Sequence, residues 1–101
     1  MLERETCQPF YVNISGNDTP LPGETCTWTV GVSIPLESTP PYTYEWQWNG
    51  YVVGNGNTYT RNTSGDEGWN LLEVTAWDFY GSEAAGGMEV IVDELMGWPC
   101  S

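Results

Sequence analysis

The chain has 101 residues, with 14 Asp and Glu against two Arg, no Lys and no His, and a formal net charge of −12. A chain of this length forms one domain with one compact core. Two cations cannot displace the counterions of a phosphate backbone, and an anionic membrane repels such a surface. We therefore expect no nucleic-acid partner, no membrane insertion, and partners that are neutral or cationic.

The same composition argues against an enzyme. Without His, the commonest general base and metal ligand is missing, so Ser and Cys side chains lack their usual activator. A carboxylate pair that hydrolyses a glycoside is the formal alternative, but a filled domain of this size leaves little room for a substrate cleft. We expect no catalytic residues and no cofactor.

Alternation of apolar and polar residues predicts seven short strands. They cover, in chain order, residues 10–14, 26–32, 42–48, 51–53, 58–61, a long sixth strand with Leu72, Val74 and Ala76 on its inner face, and 88–92. Turn-forming residues separate them, most clearly Asn49-Gly50, the strongest two-residue hairpin signal. No segment has a convincing helical period.

The strand pattern predicts an all-β fold, a seven-stranded antiparallel immunoglobulin-like β-sandwich. An inward Trp on the third strand, Trp46, faces the long sixth strand, where small Ala76 leaves room for the aromatic rings. We expect Trp46 to be among the most buried residues. The chain then divides into an N-terminal extension (1–9), the domain (10–92) and a C-terminal tail (93–101).

Several segments resemble bacterial immunoglobulin-like domains of the polycystic-kidney-disease (PKD) type. The segments that carry the resemblance are residues 40–46 (PPYTYEW), Asn49-Gly50, 53–56 (VGNG), 72–78 (LxVxAxD) and Gly81. Such modules occur as spacers and adhesive units in secreted and surface proteins and as appendages on phage capsids and tails. The resemblance therefore implies a structural or adhesive role and no catalytic residues, although three cysteines are unusual for these domains.

The three cysteines are constrained by the order of the strands. In this topology Cys26 and the tail residue Cys100 lie at the same end of the sandwich, whereas Cys7 lies at the other. A Cys26–Cys100 disulfide is the natural pair, because a bond from Cys7 to Cys26 would have to span a strand. Cys7 would then stay free or pair between chains, and three reduced thiols are the alternative.

A candidate contact face lies on the outside of the second sheet. Alternation puts Trp77 and Ile91 on the outer face of the sixth and seventh strands, together with Gln47. An exposed Trp beside an Ile predicts a contact with a partner, and it can also stack on a sugar. The alternative is a partly covered cross-strand pair without function. Tyr51 and Tyr80 are further candidate platforms for a glycan.

The C-terminal tail and the loop acids are two further features of the sequence. The tail carries Leu95, Met96 and Trp98, which must dock either on the domain or on a partner. Loop acids Asp18, Asp66 and Glu67 fall at one end and offer hard oxygens to Ca²⁺, but no EF-hand spacing supports calcium, and a solvated acidic rim is the plainer interpretation.

The setting follows from these expectations. We expect a non-catalytic module on an exterior surface, in contact with a capsid, a cell envelope or a cell-surface glycan. A carbohydrate-binding module is the rival interpretation. No apolar export segment follows Met1, which favours a virion decoration protein slightly over a domain of a secreted or surface protein.

Overall fold

The computed structural model describes residues 10–33 and 39–100. Within them the chain forms seven strands, which are β1 (Tyr11–Ser15), β2 (Thr25–Ser33), β3 (Thr43–Trp48), β4 (Tyr51–Gly54), β5 (Thr58–Asn62), β6 (Gly68–Trp77) and β7 (Glu83–Val92). The expected extension at 1–9, with Cys7, lies outside the described residues. No helix in the described part of the chain has the length and apolar character that crossing a membrane requires.

The strands form two antiparallel sheets. The order is β1-β2-β5 in the first sheet and β4-β3-β6-β7 in the second. The two sheets pack face to face as the expected immunoglobulin-like sandwich. We call the end where β6 begins and β7 finishes the lower end, and the end with the β6–β7 turn the upper end.

The core is a cluster of aromatic rings between the two sheets. Trp28 of β2 and Tyr59 of β5 face Trp46 and Trp48 of β3, with ring centroids 5.8 Å apart for Trp28 and Trp48 and 5.9 Å for Trp46 and Tyr59. Trp46 is fully buried, which confirms the expectation for this residue. Its indole N–H donates to the carbonyl of Gly56 at 2.7 Å, so burial leaves no unpaired donor at this ring.

Strand β7 is five residues longer at its start than expected, because it includes the segment Ala84-Ala85-Gly86-Gly87. Small residues have low strand propensity, which hid this part of the strand. The structure supplies the reason for one of them. A Cβ at Gly86 would lie 2.5 Å from the carbonyl oxygen of Val12, so β1 can cross β7 closely only where there is no side chain.

The chain turns back on itself between β1 and β2, which pair in the first sheet. Gly16 has a φ of +145°, and a Cβ there would lie 2.5 Å from the Trp28 ring, so only glycine fits this corner. Beyond the corner the backbone runs beside the end of β7. The carbonyl of Asp18 accepts the N–H of Ile91 at 2.9 Å, and that of Pro20 accepts the N–H of Asp93 at 3.1 Å.

Candidate functional site

The residues of the expected contact face lie on the outer face of the second sheet, but they do not form one patch. Trp77 stands opposite Glu83 at the upper end of β6, whereas Ile91 stands opposite Trp69 at the lower end. Eight residues of strand separate these two positions on β6, roughly 27 Å. Gln47 lies between them, opposite Glu73. The expectation that Ile91 flanks Trp77 was therefore wrong.

Trp77 is also less available for contact with a partner than expected. Its side chain is only partly exposed, and its indole N–H donates to the Glu83 carboxylate at 3.2 Å. Cross-strand pairing of this kind was the plainer alternative for Trp77. The hydrogen bond gives Trp77 a local partner, Glu83, at the upper end of the sheet.

The residue beside Ile91 is Trp69, which the strand assignment missed. Its side chain is 58% exposed, and Leu71, two residues on, shares the same outer face and is half-buried. Extending the alternation of β6 back by two residues, through Leu71, would have placed Trp69 on this face. We call Trp69, Leu71 and Ile91 the lower face.

A network of asparagine side chains fixes the hairpin next to the lower face. Asn49, at φ +52°, accepts the N–H of Leu71 with its Oδ1 at 2.8 Å and donates from Nδ2 to Asn70 Oδ1 at 2.9 Å. The backbone N–H of Asn49 also donates to the Leu71 carbonyl at 2.8 Å. The following hairpin residues Tyr51 and Val52 are 77% and 62% exposed, so this rigid turn adds apolar surface at the lower end.

The tail docks on the domain through its backbone while its large side chains stay outside. The N–H of Trp98 donates to the Thr19 carbonyl at 2.8 Å, and the Trp98 carbonyl accepts from Leu21 at 3.1 Å. Leu95, Met96 and Trp98 are nevertheless 86%, 75% and 68% exposed. We call residues 93–100 the tail loop.

A disulfide closes the tail loop. Cys100 is bonded to Cys26 of β2, across a sequence separation of 74 residues and with the Cα atoms 5.2 Å apart. This is the pair that the strand order favours. Cys26 is buried in the core, so the bond ties the tail directly to the interior of the sandwich.

One of the acidic residues of the lower end, Asp66, forms an ion pair within the domain. Both Oδ atoms of Asp66 accept from the Arg61 guanidinium, at 2.7 and 3.1 Å, and that guanidinium lies 4.5 Å from the centre of the Trp48 ring. The hydrogen bond to Asp66 raises the pKa of Arg61 above its usual range, so the guanidinium stays charged. Within 10–33 and 39–100, no group of three or more Cys, Asp or Glu side chains is placed to hold a metal ion.

The upper end carries a second pair of exposed aromatic side chains. Phe79 and Tyr80, 63% and 77% exposed, meet edge to face in the β6–β7 turn, with their centroids 5.0 Å apart. Tyr80 and Tyr51, the two further candidate platforms for a glycan, therefore lie at opposite ends of the sandwich.

Buried Asp78 holds that turn. Its carboxylate accepts backbone N–H groups at 2.8–3.1 Å, those of Ser82, Tyr80 and Thr39. Burial pushes the pKa of Asp78 up, but these hydrogen bonds outweigh it and hold the pKa below its usual value. The carboxylate is thus an ionised anchor for the turn.

A solved structure with the same architecture is that of the CARDB domain of a Pyrococcus furiosus protein, determined in complex with di-metal ions. The two chains superpose with a TM-score of 0.66 and 16% identity, over 83% of this chain and 87% of that one. The fold is immunoglobulin-like. At this identity the likeness shows the architecture alone. No protein-family model and no curated protein matches the sequence.

Proposed function

We propose that this chain is a non-catalytic PKD-type immunoglobulin-like module that is displayed on a virion or bacterial envelope and acts there through protein contacts. The observation that carries the proposal is the exposed apolar surface of the lower end. Trp69, Leu95, Met96 and Trp98 are each more than half exposed there. Such side chains contribute little to folding, and several exposed apolar side chains at one end of a domain favour an interaction surface.

The chemistry of the described residues is consistent with this role. Two acidic residues stabilise the fold: Asp78 anchors a turn, and Asp66 forms an ion pair with Arg61. The sandwich core is filled by aromatic and aliphatic side chains, with Trp28, Trp46 and Leu72 fully buried. We therefore propose no reaction and no cofactor for this module.

The charge of the chain supports an exterior setting and limits the partner. A net charge of −12 keeps a small protein dispersed and repels anionic polymers and lipids. The partner is therefore proposed to be a neutral or basic protein surface of a capsid or cell envelope, with neither nucleic acid nor inserted membrane.

A glycan is the second candidate partner. Tyr51 favours it, since its ring is 77% exposed on a hairpin that the Asn49 network makes rigid. A neutral glycan also suits an acidic surface. A glycan array separates the two candidates: glycan binding that is lost in Tyr51→Ser would replace the protein-contact proposal.

Immunogold electron microscopy of unpermeabilised source cells and of purified virions tests the setting. We expect label on the exterior of one of the two. Label that is seen only after permeabilisation, on cytosol, contradicts the proposal. Washed virions or envelopes should also retain the wild-type module and release Trp69→Ser, while Tyr80→Ser at the upper end serves as the matched control.

A further inference from the structure

We propose that the tail loop is a preorganised binding loop whose occupant is a basic protein segment with an apolar side chain at its centre. The inference rests on the proposed function and assigns its contact to one element. Residues 93–100 present three large exposed apolar side chains within the four positions 95–98, namely Leu95, Met96 and Trp98. None of the three is buried against the domain, although the chain around them is docked on it.

The backbone of the tail loop is held at many points. The Asp93 side chain accepts the N–H groups of Leu95 and Met96 at 2.8 and 3.2 Å, and its carbonyl accepts the N–H of Gly97 at 2.9 Å. The Asn17 amide donates to the Trp98 carbonyl at 2.9 Å. These bonds add to the pairing of Trp98 with the segment before β2 and to the disulfide.

Gly97 shows how closely the loop is seated. A Cβ at this position would collide with the Asp93 carbonyl oxygen and would lie 2.8 Å from that of Pro20 and 2.9 Å from the backbone nitrogen of Leu21. The loop can therefore approach the domain only because this residue has no side chain. Its backbone is fixed while its apolar side chains face solvent, which lowers the entropy cost of binding.

The charges around the loop select the occupant. The loop itself carries Asp93 and Glu94, and Asp18 is hydrogen-bonded to the adjacent end of β7. Arg61, the cation of the described residues, is already paired with Asp66. An apolar centre with an acidic rim is complementary to an apolar side chain flanked by Lys or Arg. A second copy of this chain would bring its own acids to the same rim and be repelled.

The test selects ligands from a random linear peptide library on the immobilised, oxidised protein and then titrates the enriched synthetic peptides. We expect peptides that combine Lys or Arg with an aromatic or aliphatic residue. Trp98→Ser should lower the affinity for these peptides by about tenfold or more, as expected for a residue at the centre of an interface. Tyr80→Ser, at an exposed aromatic position of the upper end, should leave the affinity unchanged.

Disulfide reduction and Cys100→Ser provide a second readout, because both remove one restraint on the loop while keeping Leu95, Met96 and Trp98. Each change should lower the affinity for the enriched peptides. Melting curves are recorded to verify that the domain stays folded. Enrichment of acidic peptides, no enrichment at all, or equal affinity for Trp98→Ser overturns the proposal. The proposal is also overturned if the tail loop binds neutral phosphatidylcholine vesicles and no peptide, or if sedimentation shows that the protein dimerises through Trp98.

The two proposals fail in different ways. If enriched peptides lose affinity in Trp69→Ser but keep it in Trp98→Ser, the contact lies on the lower face, and only the tail-loop inference is wrong. If the protein is found in the cytosol, the proposed function is wrong whatever the peptides do.

Discussion

Replacing Trp46 by Ala is expected to remove the centre of the core. The ring is fully buried and stacks on Tyr59 with an interplanar angle of 27°. Its N–H also supplies a hydrogen bond to the Gly56 carbonyl, which belongs to the turn before β5. The substitution therefore takes away packing between the two sheets and one tertiary hydrogen bond at the same time.

The expected loss is about 4 kcal/mol, within the roughly 3–5 kcal/mol typical of a buried aromatic residue replaced by Ala. A domain of this size has about 5–15 kcal/mol of stability in total. Since 1 kcal/mol corresponds to roughly 4–8 °C in a small domain, the melting temperature should fall by about 15–30 °C. Trp46→Phe keeps most of the ring and loses the hydrogen bond, so about 1–2 kcal/mol is expected.

Urea unfolding followed by circular dichroism measures these differences. Trp98→Ala is the matched control, because that ring is 68% exposed, and its loss should change stability by about 0.5 kcal/mol or less. If Trp46→Ala and Trp98→Ala unfold at the same urea concentration, the assignment of Trp46 to the centre of the core is refuted.

The other predictions concern the strand crossing, the disulfide and the upper turn. Gly86→Ala should lower the melting temperature because its Cβ would meet the Val12 carbonyl at 2.5 Å, whereas Gly87→Ala meets its neighbours at 3.6 Å and should be tolerated; equal melting of the two variants would show that β1 does not cross there. Cys100→Ser should cost about 4 kcal/mol in the chain-entropy model for a 74-residue separation, measured by urea unfolding, and an unchanged midpoint would show that the bond adds no stability. Because the pKa of Asp78 is lowered in the folded state, its contribution is complete above its unfolded pKa of about 4 and is lost as the pH falls through the folded value; the stability difference between wild type and Asp78→Asn should therefore shrink in acid, and a difference independent of pH would contradict the ionised anchor.

Much of the fold could be predicted because apolar and polar residues alternate along β2 and β3. Trp28 on β2 and Trp46 on β3 sit among polar neighbours that point outward, so the register was unambiguous. The early part of β7 could not be recognised, since Gly86 is required by the close approach of β1, a tertiary contact that leaves no mark in local propensity.

The contact surface was only partly predictable. Alternation puts Trp77 on the outer face, but it does not tell how far along the sheet Ile91 lies from it, because that depends on the register between β6 and β7. The exposure of Trp98 depends on how the tail backbone docks beside Thr19, which is again set by tertiary contacts. Sequence periodicity ends with the last strand and carries no such information.

The most direct test of the proposed contact is hydroxyl-radical footprinting of the protein, free in solution and bound in the virion or envelope fraction that carries it. Binding through the lower end predicts that oxidation of Trp69, Met96 and Trp98 falls in the bound state, while that of Phe79 and Tyr80 stays the same. Equal oxidation of all five residues in both states, or protection confined to Phe79 and Tyr80, would contradict it.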